Sequence, residues 1–168
     1  MKGHCSCGEV RYEMTDSPLF VHACYCTNCQ RQSGSTHALN AMIETKCLKV
    51  LTGMTEGIKV DTGSGMGQII HRCPTCKIGV WSHYVGSGDD FSFVRVGSLE
   101  NPGAYPPDIN IFTRSKQPWV TLLADIPAAE EFYDPGECWP EAALLRKQAV
   151  IDARQQQVKK PLVGDQHP

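Results

Sequence analysis

The sequence predicts an all-β domain followed by a helical tail, and three observations carry that prediction. Short runs alternate apolar and polar residues at period two, as in Glu9-Val10-Arg11-Tyr12-Glu13, which is the pattern of a half-buried strand. Breakers separate these runs, notably Thr62-Gly63-Ser64-Gly65 and Gly86-Ser87-Gly88-Asp89-Asp90, whose Gly and Asp residues suit tight turns. Fifteen Gly and eleven Pro among 168 residues favour a turn-rich chain over a helical bundle.

Taken in order, strands are expected over residues 9–13, 46–51, 58–61, 67–71, 91–96 and 119–123, with a short helical turn within 29–41. Trp81, Phe91, Phe93 and Trp119 are expected in the core. Past Asp125 the character changes: 126–139 carries Pro127, Pro135 and Gly136 and reads as a linker. Pro140 suits a first helical position and Glu141 complements the helix dipole, so a polar helix is expected from Pro140 to about Lys160. Residues 163–168 are expected to be disordered. The expected division is a domain over 1–125, a linker over 126–139 and a tail over 140–168.

Charge and hydropathy exclude several function classes. A net charge of −2, with lysines and arginines scattered among slightly more acids, argues against a nucleic-acid surface. No apolar run approaches the roughly 18 residues a membrane helix requires, and no signal peptide is read before the first cysteine motif. A cytoplasmic location is expected from this, where closely spaced cysteines stay reduced.

Those cysteines are the chemical signal. Seven of nine fall into Cys5-x-Cys7, Cys24-x-Cys26-x-x-Cys29 and Cys73-x-x-Cys76. Such spacing lets thiolates converge on one tetrahedral metal, with Zn–S near 2.3 Å. The pairs Cys5/Cys7 and Cys73/Cys76, from distant parts of the chain, together make a complete four-thiolate site. Cys24, Cys26 and Cys29 grip one face of a second metal, and two readings stay open. Either water or a substrate thiol completes the coordination, or a protein ligand closes it, with Cys47, His22 and His37 as the candidates.

Three stretches carry a family resemblance. Gly3-His4-Cys5-Ser6-Cys7-Gly8-Glu9-Val10-Arg11-Tyr12, Cys24-Tyr25-Cys26-Thr27-Asn28-Cys29-Gln30-Arg31-Gln32-Ser33-Gly34 and Arg72-Cys73-Pro74-Thr75-Cys76 resemble, in order, the motifs of the glutathione-dependent formaldehyde-activating (centromere protein V/GFA) family. The resemblance spans about residues 3–123. It implies a Mss4-like fold of small β-sheets with two zinc ions per chain. A structural zinc would sit on Cys5, Cys7, Cys73 and Cys76, and a catalytic zinc on Cys24, Cys26 and Cys29. Tyr25 stands where many members carry His, and Lys77 where a Gly often follows the last cysteine.

The implied activity is that of a carbon–sulfur lyase. Glutathione, or a related thiol, adds to formaldehyde or a similar small aldehyde and gives S-(hydroxymethyl)glutathione, and the reverse. Arg31, two residues beyond Cys29, is the candidate for a glutathione carboxylate, because its planar fork matches that group. Tyr25 is a candidate donor to the alkoxide, and Asn110 lies in a late segment that resembles the family and is expected to approach the pocket. The competing reading is a non-catalytic zinc module or a glutathione carrier.

Overall fold

The computed structural model describes residues 1–62 and 65–159. The expected disorder over 163–168 lies outside the described residues. In chain order the elements are β1 (Lys2–His4), β2 (Arg11–Met14), β3 (Phe20–Cys24), α1 (Thr27–Ser33) and β4 (Ala38–Glu44). There follow β5 (Leu48–Thr52), β6 (Glu56–Val60), β7 (Gln68–Arg72), β8 (Gly79–Tyr84), β9 (Phe91–Arg95) and β10 (Ile109–Ile111). The chain closes with α2 (Pro135–Cys138) and α3 (Glu141–Lys159). The all-β architecture with a C-terminal helix is as the sequence predicts.

A three-stranded sheet, ordered β1-β2-β5, stands beside a seven-stranded sheet ordered β10-β3-β4-β9-β8-β7-β6. The pairings are antiparallel except β10 with β3. Because side chains alternate across a strand, the large sheet builds two cores. Val21, Ala41, Ile43, Trp81 and Val94 face Tyr12 and Met14 of the small sheet and Val10 just before it. Phe20, Met42 and Phe91 point to the opposite side, where Ile109, Trp139 and Ala143 cover them.

Two strands that the sequence hides, β3 and β4, are covered on both faces. Phe20–Cys24 is buried along its whole length, and six of the seven residues of β4 are buried. A strand covered on both faces shows no alternation, so period two vanishes from its sequence. The strand expected at 119–123 does not form, and Trp119 is 71% exposed rather than in the core.

The stretch read as a linker runs alongside β10. Asn110 and Ala128 form a parallel bridge, and Asn110 N–H donates to Pro127 O at 2.8 Å. Trp139 stacks on Phe20 with ring centroids 5.2 Å apart, and burying such a side chain contributes about 2–3 kcal/mol. Arg146 in α3 forks onto the buried Glu44 carboxylate at 2.9 and 2.5 Å, tying a polar helix to the sheet. Among the described residues no helix is long and apolar enough to cross a membrane.

Candidate metal centres

Both cysteine clusters assemble, one in each core. Cys5 and Cys7 lie in the turn after β1, and Cys73 and Cys76 in the turn after β7. Their four Sγ atoms all lie within 4.8 Å of one another. Cys5–Cys7 and Cys7–Cys73 Sγ separations are 3.5 and 3.7 Å. Sulfurs 2.3 Å from a common tetrahedral zinc would stand about 3.8 Å apart, so the donor set fits that ion. Each pair rides a hydrogen-bonded turn: Gly8 N–H donates to Cys5 O, and Lys77 N–H to Cys73 O. Val10 N–H donates directly to Cys5 Sγ at 3.3 Å. All nine cysteines are free thiols.

Crowding already separates the protonation of these thiols. Burial raises Cys5, but the Val10 N–H and the neighbouring sulfurs outweigh it and lower the thiol overall. Backbone N–H contact, first from Ile78, brings Cys76 down to about 6. For Cys7 the Glu9 N–H acts downward, yet Cys5, desolvation and the other sulfurs push it up to about 12.

The second cluster is local. Cys24 ends β3, Cys26 caps α1, and Cys29 sits in the first turn, its N–H donating to Cys26 Sγ at 3.4 Å. Gly34, at φ 64°, ends α1 in the left-handed conformation that glycine tolerates. The three Sγ atoms also lie within 4.8 Å of one another. Hydrogen bonds from Cys24 and Cys29 lower Cys26, and the contacts with Cys26 and Cys29 raise Cys24 far above its ordinary value. Contact with Cys24 lowers Cys29, but Cys26 and burial prevail and raise it to about 12.

Among the described residues no fourth His, Cys, Asp or Glu donor joins Cys24, Cys26 and Cys29. His22 is bonded through Nε2 to the Tyr133 hydroxyl at 2.7 Å. His37 pairs with Thr36 Oγ1 at 2.9 Å and packs on Tyr25. Cys47 packs against the opposite core.

Gln30 fixes α1 in place. Its amide donates to Tyr25 O at 2.7 Å and Ser115 O at 2.8 Å, and its oxygen accepts from Gln117 Nε2 at 2.9 Å. Arg31 is exposed and has no polar side-chain partner among the described residues. Asn110 is buried and its side chain donates to Pro127 O. Tyr25 is buried, which raises its phenol.

Residues that the sequence reading missed surround the triad. Arg95 lies opposite Asn40 in the β4–β9 register and donates to its side chain. It also donates to Gln32 Oε1 of α1 at 3.2 Å. Tyr84 packs edge-on to Phe93 with centroids 4.8 Å apart. Burial raises its phenol first, and the charges of Cys29 and Cys24 add to that. Only sheet register brings these side chains to the sulfurs, and no motif in the sequence marks them.

Comparison with known proteins follows the cysteines. The family model described as glutathione-dependent formaldehyde-activating enzyme matches residues 1–115, and the chain belongs to that family. No curated protein matches the sequence. Among solved structures, a crystal structure of a Rhodobacter sphaeroides protein is similar at 23% identity and a TM-score of 0.48, covering 77% of this chain and 100% of that one.

Proposed function

We propose that this member of the glutathione-dependent formaldehyde-activating family is a carbon–sulfur lyase that interconverts a thiol and a small aldehyde with their S-hydroxyalkyl adduct. Glutathione and formaldehyde are the substrates that its family description supports. The observation that carries the reading is the convergence of Cys24, Cys26 and Cys29 with no fourth protein donor among the described residues. Four thiolates complete a structural zinc site, whereas three leave a coordination position to an exogenous group. Cys5, Cys7, Cys73 and Cys76 are assigned to the first kind of site, and Cys24, Cys26 and Cys29 to the second.

Zinc bound to the triad would supply positive charge that holds a substrate thiol as thiolate, the form that attacks. The chain's own residues do the rest. Gln30 holds the sulfur-bearing helix rigid against the 113–117 loop, and fixing the reacting groups near one another supplies much of the acceleration. As the sulfur–carbon bond forms, the carbonyl pair moves to oxygen and that alkoxide takes the proton the thiol gave up. Tyr25 and Tyr84 are both held protonated by burial. At neutral pH each is a hydrogen-bond donor for an oxygen gaining charge, and neither is a base. A cytoplasmic location accords with unpaired cysteines throughout.

The test is exchange between glutathione, formaldehyde and their adduct, followed by NMR line shape with the zinc-loaded protein. The expected result is exchange faster than in buffer and proportional to protein. Exchange no faster than in buffer refutes the reaction, and tight glutathione binding without exchange leaves a carrier.

A further inference from the structure

A cavity of about 530 Å³ lies between the two cysteine clusters and belongs to neither. Gln32 and Ser33 of α1 line one side, and His4 at the end of β1 and Ser6 of the Cys5/Cys7 turn line another. Arg72 and Arg95 project into its lining, together with His37, and no Asp or Glu does so. Neither arginine is paired with a carboxylate among the described residues. Arg72 gives one N–H to Lys77 O at 3.0 Å, and Arg95 uses two on the neutral amides of Asn40 and Gln32. A guanidinium has five donors, so most remain to be used. Two half-buried cations without a counter-ion in one concavity create a field that attracts an anion.

The geometry points to this cavity as the seat of the substrate thiol's carboxylates, with Arg95 on the side of the sulfur triad and Arg72 on the far side. Arg95 is hydrogen-bonded to the helix that carries Cys29. Ala38, which lines the same cavity, is the register partner of Cys24. Arg72 precedes Cys73 on β7, two strands away from β9. The two backbones are therefore roughly 10 Å apart, at about 4.8 Å per strand, which suits a ligand with two separated carboxylates better than one with a single acid. The four-cysteine turns accordingly shape a substrate wall in addition to holding the fold. This inference rests on the reading of the triad as a thiol–aldehyde site, and it selects thiols that carry two carboxylates over their esters.

The experiment compares glutathione with its diethyl ester in the zinc-loaded wild type, R72Q and R95Q, reading KM and kcat for adduct exchange and, separately, calorimetric binding. In the wild type, KM for glutathione is expected to be about tenfold or more below that of the ester, in line with charge-assisted pairing. Each variant is expected to raise KM for glutathione toward the ester value, so that the preference for glutathione over the ester shrinks. Added sodium chloride is expected to weaken glutathione and spare the ester in the wild type, a readout that needs no variant. Equal KM for the two thiols in the wild type, or folded variants that still discriminate, overturns the inference. No exchange with either thiol sinks the proposed reaction alone, because calorimetric preference for glutathione over its ester still decides the cavity.

Discussion

The two cysteine clusters use one side chain and are assembled in opposite ways. Cys7 and Cys73 touch across 66 positions of sequence, so their cluster exists only once β1 and β7 are in place. Cys24, Cys26 and Cys29 lie within six consecutive positions, and a strand end plus one helical turn brings them together. A site closed across the chain makes metal binding part of folding, because the unfolded chain lacks the converged ligands. A site closed locally adds less to the fold, and its sulfurs are free to be committed to chemistry. The first cluster has four donors and the second three among the described residues, which matches that division.

The largest effect expected from this contrast is on the distant cluster. Cys73→Ser removes a fully buried sulfur and a metal-linked contribution on the order of 10 kcal/mol, so the variant should lose its folded circular dichroism spectrum. Cys26→Ser should stay folded, since serine is itself a favoured N-cap at the position Cys26 holds, and should lose one bound zinc and its thiol affinity. Equal loss of structure in the two variants breaks the comparison.

A smaller effect sharpens the local side. Gln30→Ala strands the carbonyls of Tyr25 and Ser115 that its amide now serves. We expect a stability loss of about 2 kcal/mol by thermal denaturation and a fall in kcat, with zinc content unchanged. An unaltered kcat would mean that the helix needs no tether.

The smallest effect is a gain. Lys77 follows the last cysteine at φ 60°, a left-handed conformation that costs a side chain about 1 kcal/mol and glycine little. Its exposed ion pair with Glu56 at 3.1 Å offsets only a fraction of that. Lys77→Gly should therefore raise stability by about 0.5–1 kcal/mol in denaturant titration, without touching the triad. A loss would place the strain elsewhere.

How much of this was legible in the sequence follows from where each signal is local. The cysteine spacings, the helix after Pro140 and the strands around Arg11, Ile58 and Phe91 are visible because their patterns are contiguous. The strands β3, β4 and β8 carry too few exposed residues to alternate. Arg31 was the arginine nearest the triad in sequence, yet it is exposed. Arg95, 66 positions after Cys29, reaches the site through the Asn40 register. Trp119 shows the converse failure: a large apolar residue in a β-like run stays exposed because no strand forms there to bury it.

The most direct test is cobalt substitution followed by glutathione titration, monitored by the sulfur-to-cobalt and ligand-field absorption. The account predicts two cobalt ions per chain, one spectrum changing with added thiol and the other indifferent, with the responsive one missing in Cys26→Ser. Two cobalt ions that both ignore glutathione, or a responsive one that persists in Cys26→Ser, would contradict it.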